Sequence, residues 1–365
     1  MQRTAPALSL AQQQQDPAAG VKFAEIDVGD ATVTVETNGT ARISGGTYGS
    51  IWRVQMHSSG APAVMKVVLA RTEHVNHTLL AGHGTPAEHE IAMGRHLLWL
   101  QAHSGRRSLL RWLPSWLRGG SDAPTAQQMA LLQHTVRALA VGELTSAAIS
   151  AMRTEPVDAN VTAIAVVMEP LACTVKERHE QQGNMSRAEW RAVMRSAARA
   201  NVAYLKAGVV YTDSKTRNLM RDAVDGAWKY VDIGAFDRIE NLSIDDIIAS
   251  IQRSCELPNN KARSDPNARR VRLKGVPPGI RNMTDKAVNA VQLAAAAALG
   301  RSGTNDVAGK LHAAQAAACA MAVVVEDAAA RRQCRQWPTA ASIAAEAAAD
   351  AIDASPAHPR QQLRD

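Results

Sequence analysis

Aromatic residues are scarce in this chain of 365 residues, which has seven tryptophans, four tyrosines and two phenylalanines. Its cores must therefore be filled by aliphatic side chains, and much of the 46% apolar share is alanine. Alanine buries little area and favours helix, so the composition predicts an α-rich protein with thin cores. Cysteine is also sparse. Cys173, Cys255, Cys319 and Cys334 are widely spaced and form no CxxC pair. That pattern excludes the common thiolate metal sites and reads as free thiols in a reducing compartment. Long apolar runs are lacking as well: the longest candidate, 313–325, contains Gln315 and stops at Glu326 and Asp327. No membrane span is expected. Residues 1–20, rich in Gln, Ala and Pro, lack the apolar core of a signal peptide and read as disordered. The expected location is intracellular, in cytoplasm or nucleus. Acidic charge is in deficit, giving a net charge of +7. A mild positive charge suits an anionic partner such as a nucleotide or an acidic protein surface, and does not single out nucleic acid.

The patterning that is present changes along the chain. From Ala24 to about Val68 it alternates as in strands: Val33 and Val35 interleave with Thr32 and Thr34, and 51–54 and 63–69 read as further strands. Turns are expected at Gly45-Gly46, Gly49 and Ser58-Ser59-Gly60. From Pro86 to Leu100 the period becomes helical. Residues 101–160 hold LLRWLPSWLRGG and then an alanine- and leucine-rich stretch that reads as helix. Residues 161–168 form an apolar strand. Ser186 to Lys206 is a long helix, with Ser186 as cap and Glu189 three residues on. Short strands are expected at 209–211 and 228–231. After Leu242 nearly everything is helix former, apart from a basic loop at about 257–282.

Chemistry concentrates in a few places. In ISGGTYGSIWRV, 43–54, a glycine-rich turn of Ser44, Gly45, Gly46, Thr47, Tyr48 and Gly49 could bring backbone N–H groups to phosphates. Lys66 sits inside the apolar strand AVMKVV, where an ammonium needs a partner. Glu90 on the following helix fits that role, with Glu88 as second choice. In VYTDSKTRNLM, Asp213, Lys215 and Asn218 have the spacing D-x-K-x-x-N, and an apolar strand then delivers Asp232 before Ile233 and Gly234. This set suffices for phosphoryl transfer. Asp213 would accept or orient a hydroxyl proton and Lys215 would neutralise the moving charge. Asn218 and Asp232 would hold Mg²⁺ through oxygen.

With these residues in this order, the chain resembles a eukaryotic-type protein kinase from about Ile43 to Phe236, roughly half its length. The resemblance implies an α+β, two-lobed protein-kinase-like fold with a β-rich N-lobe and a helical C-lobe. The implied boundaries are a disordered segment at 1–20, an N-lobe at 21–170 with a helical insertion near 101–150, a C-lobe at 171–354 and a flexible tail at 355–365. VVMEPLACTVKE, 166–177, is similar to the hinge of that family. Met168 would be the gatekeeper, and the main chain of Glu169 and Leu171 would bind adenine. Val54 and Ala63 would wall the adenine pocket, and Leu219 or Met220 would floor it. The implied cofactors are ATP and Mg²⁺, and the implied activity is transfer of the γ-phosphoryl group to Ser/Thr hydroxyls of a protein substrate.

Several positions depart from the family pattern. Ser44 stands for the first glycine, Tyr211-Thr212 for His-Arg before the aspartate, and Ile233 for phenylalanine after Asp232. No Ala-Pro-Glu motif follows. These departures leave a pseudokinase, a nucleotide-binding or scaffolding module without transfer, as the alternative. A small-molecule kinase of the aminoglycoside or choline type is a third reading, and Lys215 counts against it. The alanine-rich, motif-poor C-terminal half resembles that of kinases from large DNA viruses, which would place the protein in a host cell. Two basic clusters remain: Arg106, Arg107, Arg111 and Arg118 around Trp112 and Trp116, and Lys261, Arg263, Arg269, Arg270, Arg272 and Lys274. The first reads as an inserted amphipathic helix and the second as a solvated loop.

Overall fold

A computed structural model describes residues 23–36, 41–46, 49–70, 86–104, 125–152, 162–259, 273–302 and 306–353. Both arginine-rich clusters except Lys274, together with Thr47, Tyr48 and the Glu88 side chain, lie outside the described residues. The chain divides into two units, residues 1–74 with 139–168, and residues 75–138 with 169–365.

The first unit is built on a seven-stranded sheet. Its strands are β1 (Phe23–Val28), β2 (Ala31–Glu36), β3 (Arg42–Gly46), β4 (Gly49–Met56), β5 (Pro62–Ala70), β6 (Ala138–Leu144) and β7 (Thr162–Met168). The order is β1-β2-β4-β5-β7-β6, with β3 hydrogen-bonded to β4. Alternation sets which face is buried, because successive side chains point to opposite sides of a strand. Ile26, Val28, Val33, Val35, Trp52, Val54, Ala63, Met65 and Val67 form one core with Ile149 and Met152. Those last two come from the short helix Ser146–Met152. β6 corrects the sequence reading, which took this alanine- and leucine-rich stretch as helix. Pairing at a sheet edge overrides weak local propensity here.

Gly49 is required by the sheet itself. A Cβ there would lie 2.2 Å from the main-chain oxygen of Val67 on the neighbouring strand. Backbone cannot yield as a side-chain tip can. Gly49→Ala is therefore expected to destabilise the protein by about 1–3 kcal/mol through forced strand separation. Urea denaturation would check this, and a loss below about 0.5 kcal/mol would show that β4 and β5 separate freely.

The second unit is helical. Its helices are α1 (Pro86–Ser104), α2 (Ala126–Met129), α3 (Leu131–His134), α4 (Val175–Gln181), α5 (Arg187–Lys206), α6 (Ile244–Cys255), α7 (Pro278–Ser302), α8 (Val307–Val324), α9 (Ala328–Cys334) and α10 (Pro338–Asp353). Ser186 caps α5 as expected. Its hydroxyl accepts from Glu189 N, and the Glu189 carboxylate accepts from Ser186 N in return. Small side chains let the C-terminal helices approach closely: α8 buries Ala313, Ala314, Ala316, Ala317, Ala318 and Ala320 against its neighbours. By length and composition α8 is apolar enough to cross a membrane, yet 61% of it is buried within the protein, as in a core helix. Cys319 of α8 and Cys334 of α9 form a disulfide, with their Cα atoms 5.8 Å apart. This corrects the expectation of four free thiols. Cys173 and Cys255 are free. Burial pushes both thiols above their usual pKa.

Candidate active site

Within the second unit the D-x-K-x-x-N segment is a loop strung between two paired strands. β8 (Val209–Tyr211) is fully buried and pairs antiparallel with β9 (Phe236–Arg238), Tyr211 opposite Phe236. Thr212 continues the bond pattern, because its N–H and its hydroxyl both donate to the Ala235 carbonyl, at 2.8 and 2.9 Å. The loop closes at Asn218, where the hairpin Leu219–Arg221 and Trp228–Tyr230 begins. Beneath it lies an aromatic cluster. Tyr204 meets Phe236 edge-on at 4.8 Å between ring centres, and Tyr211 meets Tyr230 at 4.2 Å. Three of the four tyrosines and one of the two phenylalanines are spent here. A rigid aromatic floor of this kind fixes the main chain that carries the polar residues above it.

Those polar residues converge. The Asn218 amide nitrogen donates to the Asp213 carbonyl at 3.1 Å, to the Asp213 carboxylate at 2.9 Å and to Asp232 Oδ2 at 3.4 Å. Lys215 forms an ion pair with Asp213. Asp213 and Lys215 are both partly exposed, at 43% and 44% of the side chain, so the pair faces solvent. Asn218 is buried at 8%. Tyr211 stays a neutral phenol: burial first, then the charges of Asp232 and Asp213, push its pKa well up.

The segment after Asp232 is fixed from the other side by α1. Glu90 is only 3% exposed and lies against Gly234, where an added Cβ would be 2.2 Å from its Oε2. The neighbouring His89 imidazole bonds the Phe236 carbonyl. Glycine at 234 is thus what lets a buried carboxylate approach the Asp232 turn.

Around Glu169 an ion network appears that sequence reasoning missed. The Glu169 carboxylate accepts from Arg137 N at 3.0 Å and from Lys229 Nζ at 2.9 Å. Lys229 also pairs with Asp222 at 2.6 Å. Burial alone would lower the Lys229 pKa, but its bonds to Asp222 and Glu169 outweigh that and hold it above the usual value. The signal was available: Lys229 lies between Trp228 and Tyr230 in an apolar strand and needs partners, as Lys66 does. Among the described residues, neither the Glu169 carbonyl nor the Leu171 N–H makes a main-chain hydrogen bond. Leu219 is fully buried, whereas Met220 on the opposite face is partly exposed and is the one of the two able to touch a ligand.

In the first unit, Lys66 lies opposite Ile51 on β4 and Val166 on β7. Strand parity puts Ile51, Val64, Val68 and Met168 on its face of the sheet. Val54 and Ala63, named from the sequence as adenine walls, lie on the other face in the core beside Met65. Ser44, Gly45 and Gly46 extend β3 and pair with Ile51, Ser50 and Gly49.

Asn218 and Asp232 fit a divalent cation that prefers hard oxygen ligands. The Asn218 amide nitrogen faces both Asp213 and Asp232, so its carbonyl oxygen would share a cation with Asp232 only after the amide turns over. Among the described residues there is no cluster of three His, Cys, Asp or Glu side chains able to hold a metal.

No protein-family model and no curated protein matches the sequence. Among solved structures the chain is similar to the PknI kinase domain of Mycobacterium tuberculosis, studied as a double mutant. The identity is 14% and the TM-score 0.38, over 84% of this chain and 98% of that one. It is also similar to the ROP18 kinase domain in complex with AMP-PNP and sucrose. There the identity is 12% and the TM-score 0.43, over 85% of this chain and 86% of that one. The chain itself combines an antiparallel sheet in the first unit with a loop-bearing helical second unit.

Proposed function

We propose that this chain is a protein kinase that transfers the γ-phosphoryl group of Mg·ATP to Ser/Thr hydroxyls. The observation that carries the reading is the web in which Asn218 ties Asp213 to Asp232. Phosphoryl transfer asks little covalent chemistry of a protein and much positioning, and this web gathers two carboxylates around one buried amide. In the reaction the substrate hydroxyl oxygen bonds to the γ-phosphorus. The bond from that phosphorus to the β–γ bridging oxygen breaks, and ADP leaves with the electron pair. Asp213 orients the hydroxyl and accepts its proton, and Lys215 screens the moving charge. Asn218 and Asp232 would hold the Mg²⁺, which when bound offsets phosphate charge. Lys66 would neutralise further phosphate charge. The Glu169 carbonyl and Leu171 N–H would take the adenine edge. Ile51, Val64, Met168 and Met220 would supply apolar contacts.

The test is radiolabelled ATP with generic protein substrates. Label should pass to serine and threonine, stop on chelation of Mg²⁺, and stop in Asp232→Ala. The departures at Ser44 and Thr212 keep the pseudokinase as the second reading. Tight nucleotide binding indifferent to Mg²⁺ and to Asp232→Ala, without transfer, would establish it.

A further inference from the structure

Between the partly exposed side chains of Asp213 and Lys215, Ser214 turns inward. Its hydroxyl lies 2.8 Å from Ser254 Oγ on α6 and donates to the Tyr230 hydroxyl at 3.3 Å. Tyr230 and Ser254 close the triangle at 3.5 Å. All three side chains are buried, Ser254 completely. Each hydroxyl can donate once and accept once: Ser214 to Tyr230, Tyr230 to Ser254, Ser254 to Ser214. A closed circuit of this kind polarises its members in the same sense.

Ser254 is out of keeping with its helix face. Ile247, Ser250, Ile251 and Ser254 form the buried stripe of α6. Apolar side chains suffice for such a stripe, and a hydroxyl without a partner is costly to bury. Ser250 is satisfied within the helix, where its hydroxyl donates to the Asp246 carbonyl at 2.6 Å and accepts from Arg253. Ser254 reaches the Ser250 carbonyl at 3.4 Å, but its shortest bond is the one to Ser214.

The partners matter by their place in the chain. Ser214 adjoins both Asp213 and Lys215. Tyr230 leads into the Asp232 turn and pairs across the hairpin with Leu219, next to Asn218. The hydroxyl circuit therefore grips from the buried side the two segments that Asn218 ties together on the other. We propose that Ser254 is a positioning residue: through Ser214 and Tyr230 it holds the 213–218 loop so that Asp213 and Lys215 face the transfer, an inference that rests on the phosphoryl-transfer reading of this loop. Fully buried, Ser254 touches no reacting group.

Ser254→Thr keeps a hydroxyl, and Ser254→Val matches threonine in shape without one, so the pair separates the bond from packing. Calorimetric nucleotide binding counts competent sites, and kcat is expressed per site, a quantity that a plain loss of folded protein does not move. Ser254→Val should lie about tenfold below Ser254→Thr in kcat per site, equivalent to ~1.4 kcal/mol, with the KM for ATP unchanged. Amide hydrogen exchange gives a readout that needs no activity. The Asn218 N–H bonds the Lys215 carbonyl and the Val231 N–H bonds the Asn218 carbonyl. Both should exchange at least about fivefold faster in Ser254→Val than in Ser254→Thr, while the amides of α5 exchange alike in the two. If the β-branched variants do not fold, Tyr230→Phe removes another hydroxyl of the circuit at nearly constant volume, and should shift both readouts the same way relative to the wild type. A wild-type chain that transfers no phosphoryl group overturns the kinase reading, and exchange alone then decides the anchoring. The proposal itself is overturned if exchange at Asn218 and Val231 is the same with and without the hydroxyl. It is equally overturned if an active chain shows equal kcat per site, or a loss confined to KM.

Discussion

Asp213→Ala is expected to lower phosphoryl transfer by about 10³-fold, or ~4 kcal/mol of transition-state stabilisation, while nucleotide affinity changes little. The separation follows from the geometry. The Asp213 side chain is partly exposed and supports no core packing. Asn218 would lose the carboxylate at 2.9 Å but keep the Asp213 carbonyl at 3.1 Å, so its place beside Asp232 is held. Turnover at saturating ATP, beside calorimetric nucleotide binding, checks both halves. Activity retained within a few fold would remove Asp213 as the group that receives the hydroxyl proton.

The largest stability effect is expected at Tyr204→Ala, about 3–5 kcal/mol. Tyr204 is 1% exposed and touches Tyr211, Tyr230 and Phe236. Its hydroxyl also donates to the His134 carbonyl at 2.8 Å. Removing the ring leaves a cavity under the strand pair that holds the loop and strands a buried acceptor. Against a typical total of roughly 5–15 kcal/mol, that loss is a large fraction. Tyr204→Phe keeps the ring and should lose only about 1 kcal/mol. Denaturant midpoints for the two variants separate packing from hydrogen bonding. Equal losses would assign the effect to the hydroxyl.

The residues that announced themselves were those in conflict with their surroundings. Lys66 in an apolar strand, and carboxylates clustered after short strands, carry a cost that structure must offset, so they are visible one at a time. The capping pair Ser186 and Glu189 is local and equally legible. Strand phase was not. AVMKVV is apolar on both faces, so period 2 gives no origin, and Val54 and Ala63 were set on the ligand side when Ile51 and Val64 share the face of Lys66. The disulfide was hidden because Cys319 and Cys334 meet only through the packing of two helices. β6 was hidden because alanine and leucine read as helix until a neighbouring strand offers its edge.

The crowding of tyrosine under the loop has a practical consequence for spectroscopy. Three of the four phenol side chains report from one small volume, which contains Tyr204, Tyr211 and Tyr230. A sample labelled at tyrosine alone would give a nearly empty aromatic spectrum in which most resonances belong to the support of Asp213. Ring-current shifts among them depend on distances such as the 4.2 Å between Tyr211 and Tyr230. Ligand titrations followed by those few signals would therefore read the state of the loop without assigning the rest of the chain.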